Sequence, residues 1–314
     1  MAGERMEREI REQLNALPEN SDRYFQELSK AVYGTKPSLV VIVARGSSDN
    51  AALYARYLIE ITLGIPVSLS APSVITRYGR RLDYPPALVI GISQSGAAPD
   101  VAEVLEVARG SGHKTLAITN TANSHVGEAA EVDLMLGVGN ETSVAATKTY
   151  TSSLLALYQL VRAMGGELSA PGLPSVGWFD CCIPSASEHA EAIQQAHPLF
   201  VLGRGYSFAT ASESALKLME CALLPAKAYS SADFAHGPKA LAGEGSGILS
   251  FGELPHGLEE QGSDIFYAPE PECPEEILPI WHAIYAQELA LAVARRKGLD
   301  PDKPPFLRKV TRTT

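Results

Sequence analysis

The chain carries little that could hold a metal or a disulfide. Its 314 residues include four cysteines, and Cys181, Cys182, Cys221 and Cys273 have neither zinc-ligand spacing nor the layout of a disulfide framework. The adjacent Cys181 and Cys182 read as a half-buried pair in a reducing compartment. Seven histidines form no cluster with acids at ligand spacing, and a Gly-x-Gly-x-x-Gly turn is missing. No metal and no organic cofactor is therefore implied. Positive charge is scarce: the net charge is −10, and no basic stripe exists to neutralise phosphates in series, which argues against nucleic acid as partner. No run approaches 18 apolar residues, so no membrane span is expected. The first nine residues are charged and lack an apolar centre, so no signal peptide is expected and a cytoplasmic location is.

What is abundant is apolar side chain, 46% against 20% charged, enough for two domains with sizeable cores. Residues 4–16 and 21–34 read as two amphipathic helices. Beyond them, strand-like runs at 38–44, 66–69, 87–92, 115–119 and 132–135 alternate with helical patterns at 47–62, 99–110 and 145–165. Such alternation predicts an α/β chain built on a doubly wound parallel sheet. Residues 166–177 are rich in Gly and Pro and read as a linker. The pattern then restarts: Leu199–Gly205 repeats Val41–Gly46, and each is followed by a long helix, a short strand and a hydroxyl turn. From Gly46 to Ser70 is 24 residues and from Gly205 to Ser230 is 25, an internal duplication of one unit. The expected division is N-terminal helices 1–35, a first domain 36–166, a linker 167–190, a second domain 191–300 and a tail 301–314. The second copy is the shorter, because 242–276 lacks part of a strand–helix pair; a last helix is expected at 275–297.

The most informative stretch is Leu88–Gly96, where a buried strand runs into Ser93-Gln94-Ser95-Gly96. A strand ending in hydroxyls and opening a helix offers N–H groups and a helix N-terminus to one anion without a lysine. Such serines can also simply cap the helix. A second turn of the same layout, Arg45-Gly46-Ser47-Ser48, favours phosphate. In a doubly wound sheet both turns can meet beyond the strand ends. Asn140–Lys148 opens another helix and could close the pocket through Val144, Ala145 and Lys148; Lys148 is equally readable as a surface charge. On the helix near 207–224, Glu213, Lys217 and Glu220 lie on one face, with Leu216, Leu218, Met219, Ala222 and Leu223 over the rest. Spacing alone makes that face solvated, with an i,i+4 pair. His236 lies on a short Gly-Pro loop, the setting in which a histidine carries reactive chemistry into a cleft.

Six stretches in order carry a family resemblance: Arg45–Asn50, Ile92–Gly96, Val144–Lys148, Ala215–Glu220, Ala232–Pro238 and Asp302–Lys309. The chain resembles the SIS (sugar isomerase) family in its double-domain form, from about residue 20 to its end. The nearest resemblance is to type II glucosamine-6-phosphate deaminases and to the isomerase half of glutamine–fructose-6-phosphate aminotransferases. The resemblance implies two SIS domains, each a doubly wound parallel sheet flanked by helices in three α/β/α layers. It implies that Gly46, Ser47, Ser48, Ser93, Gln94, Ser95 and Gly96 hold the phosphate of a small sugar phosphate. Glu220 matches the carboxylate that moves a proton between C1 and C2, and Lys217 the lysine one turn before it. Lys309 matches a tail lysine that engages the substrate carbonyl. His236 matches the ring-opening histidine, which reaches the neighbouring subunit's site and so implies a homodimer with shared active sites. Two positions depart from the pattern: Ala98 and Ala146 stand where hydroxyls are usual. One lost hydroxyl should weaken phosphate binding by about 1–2 kcal/mol, which bears on which sugar is bound.

These roles imply an enzyme converting glucosamine 6-phosphate to fructose 6-phosphate and ammonia. Met1-Ala2-Gly3 leads at once into helix, so no N-terminal glutamine-hydrolysing domain is expected. The alternatives are an aminotransferase-type isomerase subunit, a deglycase of a glycated amino-acid phosphate, and a non-catalytic sugar-phosphate-binding regulator. The last would need only the serine turns, whereas Glu220, His236 and Lys309 are present together.

Overall fold

A computed structural model describes residues 2–309. Its elements follow the alternation in the sequence. They begin with α1 (Glu4–Ala31), β1 (Leu39–Val43), α2 (Ser47–Leu63), β2 (Val67–Leu69), α3 (Ser73–Thr76), β3 (Ala87–Ser93) and α4 (Pro99–Gly110). Next come β4 (Lys114–Thr119), α5 (His125–Ala129), β5 (Val132–Met135), α6 (Lys148–Ala163) and α7 (Val176–Ile193). The repeat supplies β6 (Leu199–Gly203), α8 (Ser207–Ala222), β7 (Ala226–Ser230), α9 (Ser231–Ala235), β8 (Gly247–Phe251), β9 (Asp264–Tyr267) and α10 (Leu278–Arg296).

The strands form two parallel sheets flanked by helices. One has the order β2-β1-β3-β4-β5 and the other β7-β6-β8-β9. The second order is the first with its last strand missing, as expected of a shortened duplicate. Between β8 and β9 the chain makes only the short 3₁₀ turn Glu259–Gln261 where the first copy has a helix. All seven residues of β3 and all five of β8 are buried, the burial pattern of strands covered on both faces. By contacts the described chain divides into two compact units. The first-sheet unit holds residues 15–140 and 152–171, and the second-sheet unit holds residues up to 14, 141–151 and 172–309.

Four features depart from the sequence reading. The two N-terminal helices are one, Glu4–Ala31, with Pro18 inside it; Asn20 Nδ2 donates to the Ala16 carbonyl at 2.8 Å, next to the backbone bond that the proline removes. Residues of the expected 167–190 linker instead form most of α7, which buries Trp178, Phe179, Cys182, Ala186, Ala190 and Ile193. Of the expected half-buried cysteine pair, Cys182 is buried and Cys181 exposed. Finally, Glu275–Arg296 is long and apolar enough, by length and composition, to cross a membrane, though the sequence shows no unbroken run. In this fold 83% of its most apolar window is buried, so it serves as the core helix of the second-sheet unit, packed against α7 and α8.

That core helix carries a destabilising group. Glu288 is 6% exposed and its Oε1 has no hydrogen-bond partner among the described residues. Burial raises its carboxyl to about 7, with Arg11 pulling it down and Glu7 pushing it up. A carboxyl whose folded pKa is raised stabilises while neutral. That contribution is intact below the ordinary value near 4.5 and is lost as pH rises through about 7. Glu288→Gln is expected to gain on the order of 2 kcal/mol at pH 8 and little at pH 4. Urea denaturation at the two pH values checks this; an equal gain at both would contradict it.

Candidate active site

In the first-sheet unit the connections diverge at the boundary between β1 and β3. Strand β2 lies on one side of that pair and β4 and β5 on the other. This is the topological switch point, where ligands of doubly wound sheets bind beyond the carboxyl ends. The two hydroxyl turns leave those two adjacent strands: Val43 of β1 pairs with Gly91 of β3. Gly46, at φ 58° and ψ −131°, is the N-cap of α2, and no side chain caps that helix. Ser47 and Ser48 are half-buried in its first turn. The second turn places Ser93 at 7% exposure, with Gln94 and Ser95 half-buried. Ala98 is the N-cap of α4, again with no side-chain hydrogen bond, and Pro99 follows it. Two uncapped helix N-termini therefore open beside one another at the switch point, an arrangement suited to an anion.

Gly96 locks the second turn. Its φ is 62°, and a Cβ there would lie 2.2 Å from Cβ and Oγ of Ser124. Its carbonyl accepts from Val126 N at 2.9 Å, while Gln94's accepts from Asn120 N at 3.0 Å. Gly96→Ala is expected to cost about 2–3 kcal/mol of stability. Thermal unfolding of this variant checks it; unchanged stability would show that the turn yields.

The ionisable groups on α8 belong to the second-sheet unit, and the solvated face suggested by their spacing is overturned. Lys217 is 0% and Glu213 1% exposed. Lys217 Nζ lies 3.4 Å from Glu213 Oε1 and donates to Glu220 Oε2. Burial alone would push the Lys217 ammonium down, but the Glu213 and Glu220 carboxylates outweigh it and hold the group above the usual lysine range. The Glu220 side chain keeps 27% of its exposure. The charged face thus turns inward, while Met219 and Leu223, 42% and 44% exposed, face outward. A buried lysine clamped by one buried acid presents a fixed cation to a second acid that solvent can reach.

His236 ends the short helix α9 and is exposed. Two residues earlier, Phe234 is fully buried against Phe200 and Tyr229, which anchors the loop firmly.

The stretch Asn140–Lys148 is organised by two acids that sequence reasoning missed. Buried Glu9 accepts from Thr142 N and Oγ1 at 2.5 and 2.9 Å, from Ser143 N, and from Ser143 Oγ. Buried Glu141 accepts from Thr147 N and Oγ1 at 3.0 and 3.1 Å and from Thr149 N and Oγ1 at 3.0 and 2.8 Å. It thereby caps the start of α6 from a distance of six and eight residues. Glu141 Oε2 also accepts from Lys309 Nζ at 2.5 Å. Burial would raise the Glu141 carboxyl, yet Lys309 and the loop amides more than offset this and hold it below the usual carboxylate range. Lys148 is 3% exposed and pairs with Glu12 at 2.5 Å, so the surface-charge alternative falls. Ala145 is packed in the apolar core of the second-sheet unit, and Val144 is half-buried. Among the described residues no group of three or more His, Cys, Asp or Glu is placed to hold a metal ion.

The SIS domain model matches residues 35–163 and 192–256. The chain belongs to the SIS domain family. The matched segments hold β1–β5 with the hydroxyl turns, and β6–β8 with the α8 acids and His236. A glutamine–fructose-6-phosphate aminotransferase (isomerizing) of Methanothermobacter thermautotrophicus is 30% identical over 97% of this chain. The chain spans only 56% of that relative, about half the length of the curated relatives it matches. A protein of Silicibacter pomeroyi DSS-3, provisionally described as a phosphosugar isomerase, superposes with a TM-score of 0.81 at 29% identity, over 96% of this chain and all of its own. The glucosamine-6-phosphate deaminase of Thermotoga maritima superposes at 0.79 over 98% of this chain and all of its own. At 24% identity that last likeness shows the SIS fold alone.

Proposed function

We propose that this SIS protein is an aldose–ketose isomerase of hexosamine 6-phosphates that releases the amino group: glucosamine 6-phosphate and water to fructose 6-phosphate and ammonia. The observation that carries the reading is the α8 cluster, in which buried Lys217, held by Glu213, supports the accessible carboxylate of Glu220. A carboxylate fixed beside a permanent cation is suited to carry a proton between neighbouring carbons. Ser47, Ser48, Ser93, Gln94 and Ser95 take the phosphate, with the amides of the two turns. His236 moves the proton that opens the pyranose ring, chemistry that needs a group of histidine's type. Once the chain is open, Glu220 carries the proton between C2 and C1. Lys309 donates to the carbonyl oxygen and stabilises the charge that gathers there. Water then adds to the imine carbon and ammonia leaves. His236 acts in the site of a second copy, which makes the working unit a homodimer.

A second reading is favoured by the curated relatives, which are named as glutamine–fructose-6-phosphate aminotransferases (isomerizing). There the same proton transfer serves amination of fructose 6-phosphate. Incubation with glucosamine 6-phosphate, followed for both fructose 6-phosphate and ammonia, separates the two. Equal yields of both products are expected. Turnover confined to fructose 6-phosphate with a nitrogen donor would favour the second reading. Binding without any turnover would leave a sugar-phosphate-binding regulator.

A further inference from the structure

Arg45 is the one basic side chain in the two turns, 44–50 and 93–100, which also carry the carboxylates Asp49 and Asp100. Asp100 is 2% exposed in the first turn of α4, and its Oδ2 lies 2.8 Å from Arg45 Nε. The Arg45 side chain itself is 50% exposed. Asp100 engages only the Nε edge, so the two terminal nitrogens of the guanidinium have no hydrogen-bond partner among the described residues. The guanidinium itself lies half in solvent, while the carboxylate that holds it is buried. The pair does fix a flexible side chain at the mouth of the switch point, one residue before the Gly46 bend.

Electrostatics gives that placement a use. A phosphate dianion at the turns would share them with two carboxylates, exposed Asp49 and buried Asp100. Burial raises the Asp49 carboxyl, and the nearby Arg45 guanidinium offsets part of that rise. The second turn is also one donor short, because Ala98 offers no hydroxyl at the N-cap of α4. A guanidinium restores both charge and donors, and its planar fork suits two phosphate oxygens at once.

We propose that Arg45 binds substrate: oriented by Asp100, it forms a third arm of the anion cradle and grips the phosphate monoester through its two terminal nitrogens. The inference rests on reading the turns as the phosphate site of the proposed function. Its test is calorimetric titration of the full chain with inorganic phosphate and with glucosamine 6-phosphate, using Arg45→Gln and Arg45→Lys. Arg45→Gln is expected to weaken both ligands about 10–100-fold, to raise KM in parallel, and to leave kcat within about threefold. Arg45→Lys keeps the charge but loses the fork, and is expected to stay about tenfold weak. Thermal unfolding of each variant shows whether the pair merely stabilises. Unaltered affinity in Arg45→Gln, with the unsubstituted chain binding phosphate, would overturn the inference and leave the function standing. Weakened phosphate binding in Arg45→Gln, in a protein that turns over no hexosamine phosphate, would support the inference and overturn the function. If the unsubstituted chain binds neither phosphate nor the sugar phosphate, the cradle and the inference are overturned together.

Discussion

Glu220→Gln is expected to lower kcat about 10³-fold while leaving sugar-phosphate affinity within about threefold. The substitution is close to isosteric, and the amide oxygen can still accept from Lys217. Lys217 also keeps Glu213 at 3.4 Å, so the buried cation retains a counter-charge and α8 its packing. What is lost is the ability to take and return a proton. Binding persists because the phosphate is assigned to the turns of the first-sheet unit, which holds neither Glu220 nor Lys217. Solvent deuterium entering the sugar at C1 or C2, followed by NMR, reports the proton transfer separately from ammonia release. Full exchange and turnover in Glu220→Gln would remove this residue from the chemistry.

Lys217 makes the contrasting substitution. Lys217→Met would leave Glu213 buried with its cation removed, at a cost of about 3–5 kcal/mol. Loss of activity in that variant would therefore report a damaged fold. Glu220, the partly exposed member of the cluster, is the one whose replacement tests mechanism.

The alternation of strands and helices was legible because each carries its own period. Observed β1, β2, β4 and β5 agree with the apolar runs within one residue at either end. The duplication was legible for the same reason, since both sheets repeat one strand order. Two expected interruptions are absent. Pro18 lies inside one helix where two helices were expected, and Pro184 inside a helix over the expected linker; burial of side chains such as Leu17, Tyr24, Phe179 and Cys182 outweighs the backbone bond each proline removes. At the site, the hydroxyl turns were visible because a strand-end turn is a local pattern. The α8 face was misread because spacing places Glu213, Lys217 and Glu220 on one side of a helix without saying whether that side meets water. Glu141 was missed for a related reason. Its partners at Thr147, Thr149 and Lys309 lie up to 168 residues away, and no capping rule reaches that far.

Separately inactive His236→Ala and Glu220→Gln chains, mixed in equal amounts after subunit exchange, are expected to recover about a quarter of full activity. In a symmetric dimer with shared sites, random exchange puts about half of the molecules in mixed pairs. Each mixed pair has one site with both residues intact and one with neither. The motive for the test lies in the two positions themselves. His236 is exposed, and its ring has no hydrogen-bond partner among the described residues, although Phe234 fixes the loop that carries it. The proposed function assigns this histidine to the site of a second copy, and the mixing experiment tests that assignment. If each site instead used both residues from one chain, mixed pairs would have two damaged sites and no activity would return. A quarter recovered, rising when one chain is supplied in deficit and measured per molecule of that chain, distinguishes the shared site from a trace of unsubstituted enzyme.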